Sequence, residues 1–332
     1  MRRVRPSSLT GSRAAALAVL LAWIVASGTH AAAQSRGAGR TPPPATTVWG
    51  DPDLQGIWPG GSVYSVPLER DPELGTRATL TEAEAAKRNL DIDAQSVWVL
   101  ANYWPELGHA PPLASLIVEP ENGRLPSMTE DGARRAEEWR TKTADGYYPR
   151  GYPAYMAAGP ADLRPYDRCI TRGVLGSAFP NQYGSGMQIH QAPGFVVIRY
   201  EMVHEARIIP LDARPHISSA IRSYMGDSRG RWEGDTLVVE TTNFNGRTGS
   251  YARNGNGNPT SVALRLVERF RLRDRDTLHY EVLVEDPRTW VRPWKVAFPL
   301  RRDDRSVLYE YACHEGNYAM RNILSAARSA ER

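Results

Sequence analysis

The sequence has little cysteine, little phenylalanine and no long apolar run. It contains two cysteines and five phenylalanines in 332 residues, which excludes a disulfide-dense scaffold and a cysteine-rich metal domain. Its longest uninterrupted apolar run, residues 14–26, would span only about 20 Å as a helix at about 1.5 Å per residue, against roughly 30 Å for the hydrocarbon core of a bilayer. These lengths disfavour a transmembrane helix.

Compact motifs for cofactors are also absent. The sequence has no P-loop, G-x-G-x-x-G, G-x-S-x-G or H-E-x-x-H pattern, and these patterns cradle phosphates, expose a serine nucleophile or bind zinc. We therefore expect no metal, nucleotide or other cofactor. The alternative that the spacing leaves open is a dispersed metal site built from His190, His204, His216 and His314.

The formal charge of +4 comes entirely from the N-terminus. Residues 1–33 contain Arg2, Arg3, Arg5 and Arg13 and no acidic residue, which leaves 37 basic against 37 acidic residues in the rest of the chain. Binding to nucleic acid or to an anionic membrane surface requires a persistent basic patch. We expect neither as a partner of the mature protein.

The N-terminal arginines, the apolar run and the small residues ending at Ala33 follow the order of a secretory signal peptide. This order predicts cleavage after Ala33 and a periplasmic or secreted protein without an integral membrane segment. The Pro- and Gly-rich stretch SRGAGRTPPPATT then predicts a flexible linker over residues 34–50.

The two cysteines, Cys169 and Cys313, both lie in the exported part of the chain. Because the exported compartment is oxidising, we expect them to form a disulfide that ties the middle of the chain to its end. Two alternatives stay open. In the first, both cysteines are buried free thiols. In the second, Cys313 beside His314 serves as a nucleophile or a metal ligand.

Residues 51–186 are expected to form an irregular and helical region that wraps the rest of the protein, anchored by Trp58. Thr81 followed by Glu84 is a capping-box pattern that predicts a helix over residues 82–95, and Thr129 precedes a second predicted helix over residues 130–142. The segment SLIVEPENGRLP predicts a short strand and a turn, and frequent Pro, Gly and Tyr after residue 147 predict coil.

Residues 187–332 alternate apolar and polar residues with a period of two, which predicts antiparallel strands. The predicted strands are MQIHQA, FVVIRYEMVHEARIIPL, TLVVETTNF, ALRLVERFRLR, TLHYEVLVED, VRPWKVAFPL and SVLYEYACHE, with GDSRGRWEGD among the turns. The long second segment is expected to be a hairpin that turns near residues 203–205. We predict a mainly β fold, an antiparallel meander closing into a lipocalin-like barrel or a curved sheet, with a two-sheet sandwich as the alternative.

The last predicted element is a C-terminal helix. Asn317 is placed to cap it, because an Asn side chain accepts a hydrogen bond from the first free backbone N–H groups. One face of this helix is apolar, and its members are Met320, Ile323, Leu324 and Ala327.

Several blocks of the sequence resemble a large family of exported bacterial proteins of unknown function. The blocks are PDLQGIW, SLIVEPENGRLP, APGFVVIRYEMVHEARIIPLD, GDSRGRWEGDTLVVETTNFN, LVERF, DTLHYEVLVEDPRTWVRPW and YEYACHEGN. The resemblance extends over nearly the whole mature chain and implies export. It implies no activity, so the functional prediction depends on the residues themselves.

Polar residues on apolar strand faces are the candidates for catalysis. In ALRLVERF the apolar face contains Glu268, and in FVVIRYEMVHEARII it contains His204 if the hairpin does not reverse the register. A desolvated carboxylate near an imidazole can perform general acid–base catalysis. His314 is the third catalytic candidate, because it lies with Glu315 on or just beyond a predicted strand end. The alternative is structural: an arginine such as Arg269 neutralises Glu268, and His204 is hydrogen-bonded in a core.

The end of the predicted strand TLHYEVLVED resembles the mouth of a cavity. Its apolar face, which includes Tyr280, runs out at Asp286, close to Trp290 and Trp294. Tyr280, Asp286 and Trp290 are therefore candidates for substrate binding. Tyr and Trp outnumber Phe, with 15 and 9 against 5, and rings with a polar handle suit stacking on sugars or aryl ligands. They suit wet barrel ends equally well.

The segment RIIPLDARPHISSAIRSYMGDSRGRWEGD is predicted to cover this mouth as a loop. Arg207 and Arg214 are candidates for binding a carboxylate, and His216, Asp227 and Asn243 are further candidates for substrate binding. In the alternative interpretation the polar side chains of the loop make turn hydrogen bonds and a tryptophan of the loop plugs the barrel end.

Two classes of function are consistent with these residues. The first is a cofactor-independent lyase, isomerase or hydrolase that acts on a small aryl or glycosyl compound by proton transfer in a barrel cavity. The second is a non-catalytic periplasmic or envelope protein that binds a small-molecule ligand in the same cavity. An enzyme needs a matched acid and base at the ligand, whereas a binding protein needs shape and hydrogen bonds.

Overall fold

A computed structural model describes residues 46–99, 109–142, 159–181, 184–249 and 258–330. The predicted signal peptide and residues 34–45 of the predicted linker lie outside these ranges. No helix in the described part of the chain combines the length and the apolar character needed to cross a membrane.

The described chain is mainly β, as predicted, and its strands form two antiparallel sheets. The strands are β1 (Gly56–Trp58), β2 (Ile117–Glu119), β3 (Met187–Ala192), β4 (Phe195–Tyr200), β5 (Ala206–Pro210), β6 (Asp227–Glu233), β7 (Thr236–Thr242), β8 (Arg265–Asp274), β9 (Thr277–Glu285) and β10 (Trp294–Arg301). The first sheet has the order β1-β3-β4-β5 and the second β2-β10-β9-β8-β7-β6. Each sheet includes one strand from the predicted wrapping region.

A closed barrel is not found among the described residues. The segment after β10 reaches β1 through one backbone hydrogen bond, from Asp303 N to Ile57 O at 3.1 Å, but no strand pairing joins the two sheets. Their inner faces instead share one apolar core. Aromatic rings fill this core, with the centroid of Tyr280 5.1 Å from that of Phe270 and 5.2 Å from that of Phe298.

Four α-helices accompany the sheets in the described residues: α1 (Glu82–Val99), α2 (Glu130–Lys142), α3 (Gly173–Ala178) and α4 (Ala319–Ala330). The capping box of α1 is confirmed, because Thr81 N donates to Glu84 Oε2 at 2.7 Å and Glu84 N donates to Thr81 Oγ1 at 3.3 Å. Asn317 Oδ1 accepts from Ala319 N at 3.1 Å and so caps α4 as predicted. Helix α3 was not predicted, because its short buried sequence GVLGSA has no amphipathic period.

Two segment predictions are wrong. GDSRGRWEGD is not a turn but contains β6, whose inward positions Ser228 and Gly230 are small and give no apolar signal. A Cβ on Gly230 would lie 2.6 Å from a Leu211 methyl carbon, so the strand needs glycine there. SVLYEYACHE forms no strand, and its Val307 and Tyr309 are exposed.

The hairpin between β4 and β5 turns where predicted but reverses the register. A 3₁₀ turn over Met202–His204 joins the strands, and Val203 and His204 both have positive φ, at 60° and 43°. The inward residues are even-numbered before the turn and odd-numbered after it, so that Tyr200 and Arg207 both face the core. His204 and Ile208 face solvent instead, which corrects the predicted inward position of His204.

The predicted disulfide between Cys169 and Cys313 is confirmed, with a Cα–Cα distance of 5.5 Å. Both alternatives, free thiols and a reactive Cys313, are therefore wrong for this structure. The bridge joins the coil before α3 to the segment before α4 and spans 144 residues. It is a covalent constraint on the C-terminal segment, which has no strand pairing among the described residues.

Removing the bridge tests its contribution to stability. We expect Cys169→Ser/Cys313→Ser to lose up to about 5 kcal/mol of unfolding free energy, because the unfolded chain regains the entropy of an open loop of this length. Urea unfolding with and without reductant measures the loss. Reductant should destabilise the wild type and leave the double variant unchanged, and equal midpoints for the two proteins without reductant would contradict the prediction.

Candidate functional site

Glu268 points inward as predicted, but it is neutralised by an arginine from the other sheet. Its side chain is fully buried on β8. Arg207 Nη1 on β5 donates to Glu268 Oε2 at 2.7 Å, and Tyr280 Oη on β9 donates to Oε1 at 3.1 Å. Arg269, the partner suggested by the sequence, lies on the outer face and pairs with Glu233 at 2.7 Å.

The electrostatics of this cluster favour a charged arginine and neutral tyrosines. Burial is the largest single influence and acts to lower the pKa of Arg207, but the charge and hydrogen bond of Glu268, together with Tyr200 and Tyr280, raise it above its ordinary value. Burial raises the pKa of Tyr280 well above its usual value, and the Glu268 charge adds to this shift. Burial likewise raises the pKa of Tyr200. Glu268 is therefore an ion-pair partner with both carboxylate oxygens occupied by donors.

The three predicted catalytic residues do not share a site. His204 is exposed on the 3₁₀ turn, where its Nδ1 lies 3.1 Å from the carbonyl oxygen of Tyr311. His314 is also exposed, in the irregular segment next to the disulfide. Glu268 is enclosed between the sheets, so the predicted acid–base pair of His204 and Glu268 is not assembled.

A different pair of predicted residues is brought into contact. His216, in the loop between β5 and β6, has its Nδ1 2.7 Å from Asp227 Oδ2 at the start of β6. Asp227 also accepts from Arg229 Nη1 at 2.8 Å and from the backbone N–H of Ile217 at 3.2 Å. On the other side of the ring, His216 Nε2 lies 3.6 Å from Glu240 Oε1 on β7.

Side chains hold the loop that carries His216 in one conformation. Asn243 Nδ2 donates to the carbonyl oxygens of Ile217, Ser218 and Ile221, at 3.0 to 3.1 Å, and Asn243 itself has a φ of 60°. Arg229 Nε donates to the carbonyl oxygen of Pro215 at 3.1 Å. The predicted site residue Asn243 is therefore a positioning residue for this loop.

The remaining predicted ligand-binding residues are occupied within the protein. Arg214 is exposed and pairs with Asp212, which lies two residues before it. Arg207 and Tyr280 belong to the buried cluster around Glu268. Asp286 is buried and accepts from Ser261 N and Thr289 Oγ1, both at 2.7 Å.

A hollow of about 370 Å³ opens at the end of β9, where the sequence predicts a cavity mouth. We call it the Trp290 pocket. Its apolar lining consists of Ala263, Pro287, Trp290, Val291 and Pro293. It opens on the outside of the second sheet, and the interior behind it is filled by Trp294, whose ring centroid lies 6.1 Å from that of Trp290.

Four charged residues complete the Trp290 pocket: Arg265, Glu285, Asp286 and Arg292. Arg265 donates to Glu285 and, at 2.5 Å, to Glu240, so the pocket and the His216 loop share a row of charged side chains. Arg292 is exposed and has no ion-pair or hydrogen-bond partner among the described residues. It is the charged group at the pocket that remains available to a ligand.

Sequence reasoning missed Arg265, Glu240 and Arg292. All three occupy positions where charged residues are typical of any solvated sheet surface or loop, so their types carry no functional signal. Among the described residues, no three His, Cys, Asp or Glu side chains form a group that could hold a metal ion.

A double-mutant cycle tests the coupling between Arg207 and Glu268. We expect Glu268→Met alone to lose about 3–5 kcal/mol of unfolding free energy, because Arg207 is left as a buried charge without a partner. Arg207→Met/Glu268→Met should lose less than the sum of the two single variants. Arg269→Met, on the exposed face of the same strand, is the control and should cost about 0–1 kcal/mol. Urea unfolding measures these losses, and a double variant whose loss equals the sum of the Arg207→Met and Glu268→Met losses would contradict the coupling.

Comparison of the chain with protein-family models, with curated proteins and with solved structures finds no match in any of the three. The resemblance to exported bacterial proteins therefore depends on the sequence blocks alone.

Proposed function

We propose that the protein binds a small aryl compound in the Trp290 pocket. The observation that carries this proposal is an apolar hollow of about 370 Å³ at the predicted cavity mouth. Ligand sites are concave and mostly apolar, with a few polar groups that fix orientation, and this volume is near the lower end of their usual range. The pocket therefore suits a ligand of one or two rings.

The lining favours an aryl over a glycosyl ligand. A sugar carries many hydroxyl groups, and each loses hydrogen bonds to water unless the site replaces them. The carboxylates of Glu285 and Asp286 already accept hydrogen bonds from Arg265, Ser261 and Thr289. The remaining apolar walls of the Trp290 pocket offer apolar contact, which suits an aryl ring.

Binding does not require the lipocalin-like closure predicted from the sequence. The Trp290 pocket is lined by Arg265 of β8, Glu285 of β9 and the connection from β9 to β10, and the aromatic core behind it is packed. Closure of the two sheets into a barrel stays a prediction, separate from the ligand site.

We also propose that the protein acts in the periplasm or outside the cell. The Cys169–Cys313 disulfide supports this location, because disulfides persist in oxidising compartments. The predicted signal peptide is the second, independent support. Mass spectrometry of the mature protein from a periplasmic extract would identify its N-terminus, which we expect at Gln34.

Filling the pocket tests the proposed ligand site. The neutral fluorophore N-phenyl-1-naphthylamine should bind the wild type and bind Ala263→Trp at least about tenfold more weakly, because the indole occupies the hollow. Ala192→Trp, at an exposed alanine of the other sheet, is the matched control. Equal titration curves for wild type and Ala263→Trp would place the fluorophore elsewhere and contradict the proposal.

The exposed guanidinium of Arg292 at the Trp290 pocket predicts a modest preference for anionic aryl ligands. Arg292→Gln should weaken binding of 8-anilino-1-naphthalenesulfonate about threefold, because an exposed ion pair is worth only about 0.2–1 kcal/mol. Binding of N-phenyl-1-naphthylamine, which lacks the sulfonate, should stay unchanged. The same loss for both fluorophores would show that Arg292 does not contact the anionic group.

A further inference from the structure

We propose that His216 and Asp227 form a general-base dyad that activates water for hydrolysis of an ester or similar acyl compound. This is an activity beyond ligand binding, and it does not require a ligand in the Trp290 pocket. The dyad uses residues that the sequence suggests for substrate contact. It takes the place of the His204–Glu268 pair, which the fold keeps apart.

The hydrogen bond to Asp227 assigns the ring proton of His216 to Nδ1. An ionised carboxylate only accepts hydrogen bonds, so the ring nitrogen 2.7 Å from Asp227 Oδ2 carries the proton. That assignment leaves the lone pair of the neutral imidazole on Nε2. The same division of roles operates wherever a carboxylate orients a catalytic histidine.

Nε2 of His216 is available to accept a proton. Its nearest carboxylate oxygen, on Glu240, is 3.6 Å away, which is longer than a hydrogen bond. The His216 side chain keeps 24% of its surface exposed, so part of the side chain is in contact with solvent. His279, by contrast, is half-buried among arginines, and burial lowers its pKa.

Asp227 and Glu240 stabilise the imidazolium that proton transfer creates. Asp227 lies on one side of the ring and Glu240 on the other, so the new positive charge forms between two carboxylates. Arg229 is bonded to Asp227, and Arg265 to Glu240. These arginines hold the two carboxylates in place before the proton moves, which reduces the reorganisation that the reaction requires.

The reaction balances without a cofactor. Nε2 accepts a proton from water while the water oxygen bonds to the acyl carbon, and the alkoxide or phenolate then leaves as the carbonyl re-forms. The proton on Nε2 passes to the leaving oxygen or to solvent. The products are a carboxylic acid and an alcohol or phenol, and His216 returns to its neutral form.

Hydrolysis of 4-nitrophenyl acetate by the full-length protein tests the proposal. We expect His216→Gln to lower the protein-dependent rate about 100-fold and to remove its rise with pH, since that rise reports loss of the imidazole proton. His190→Gln, at an exposed histidine of β3, is the matched control and should keep the wild-type rate and pH profile. Asp227→Asn should give an intermediate rate.

A second measurement uses only the wild-type protein and covers the case in which a variant fails to fold. Diethyl pyrocarbonate acylates unprotonated imidazole, so the rate of hydrolysis should fall in proportion to the fraction of His216 that is modified. Peptide mass mapping measures that fraction. A wild-type rate no higher than that of buffer would overturn the proposal. So would equal rates for His216→Gln and His190→Gln, or activity that survives complete modification of His216.

Discussion

The ion pair between Arg207 and Glu268 is the interaction on which the arrangement of the two sheets depends. Each sheet contributes one partner, both side chains are buried, and Nη1 and Oε2 are 2.7 Å apart. A buried charge without a partner costs several kcal/mol, so this pair disfavours other registers of the two inner faces. The pair therefore contributes specificity of packing, while the aromatic core around it contributes the apolar burial.

The hairpin turn decides that Arg207 is available for this pair. Two consecutive residues with positive φ, Val203 and His204, shift the alternation by one position between β4 and β5. Positive φ is strained for a β-branched residue such as Val203, so surrounding contacts must stabilise the turn. The same shift puts Arg207 inside, where it pairs with Glu268, and His204 outside, where it is exposed.

Because the interior is packed, the groups to which we assign binding and chemistry lie on the outer face of the second sheet and in the loops beside it. A row of ionisable side chains runs across β6, β7, β8 and β9 from Asp227 through His216, Glu240 and Arg265 to Glu285. One end of this row carries a histidine fixed by a carboxylate, and the other end is the apolar Trp290 pocket. The row gives a physical connection between the proposed binding site and the proposed dyad.

The sequence by itself determined the antiparallel strands, the caps of α1 and α4, the disulfide and the inward position of Glu268. These features depend on local periodicity, on short-range hydrogen bonds or on residue types with few alternatives. It did not reveal β6, because the inward residues Ser228 and Gly230 are small, and it placed His204 on the wrong face, because a single turn changes the parity of a strand. Only the tertiary structure decided that Arg207 neutralises Glu268 across 61 residues of chain and that His216 meets Asp227. Such pairings depend on how separate strands and loops pack together, and the residue types alone do not encode them locally.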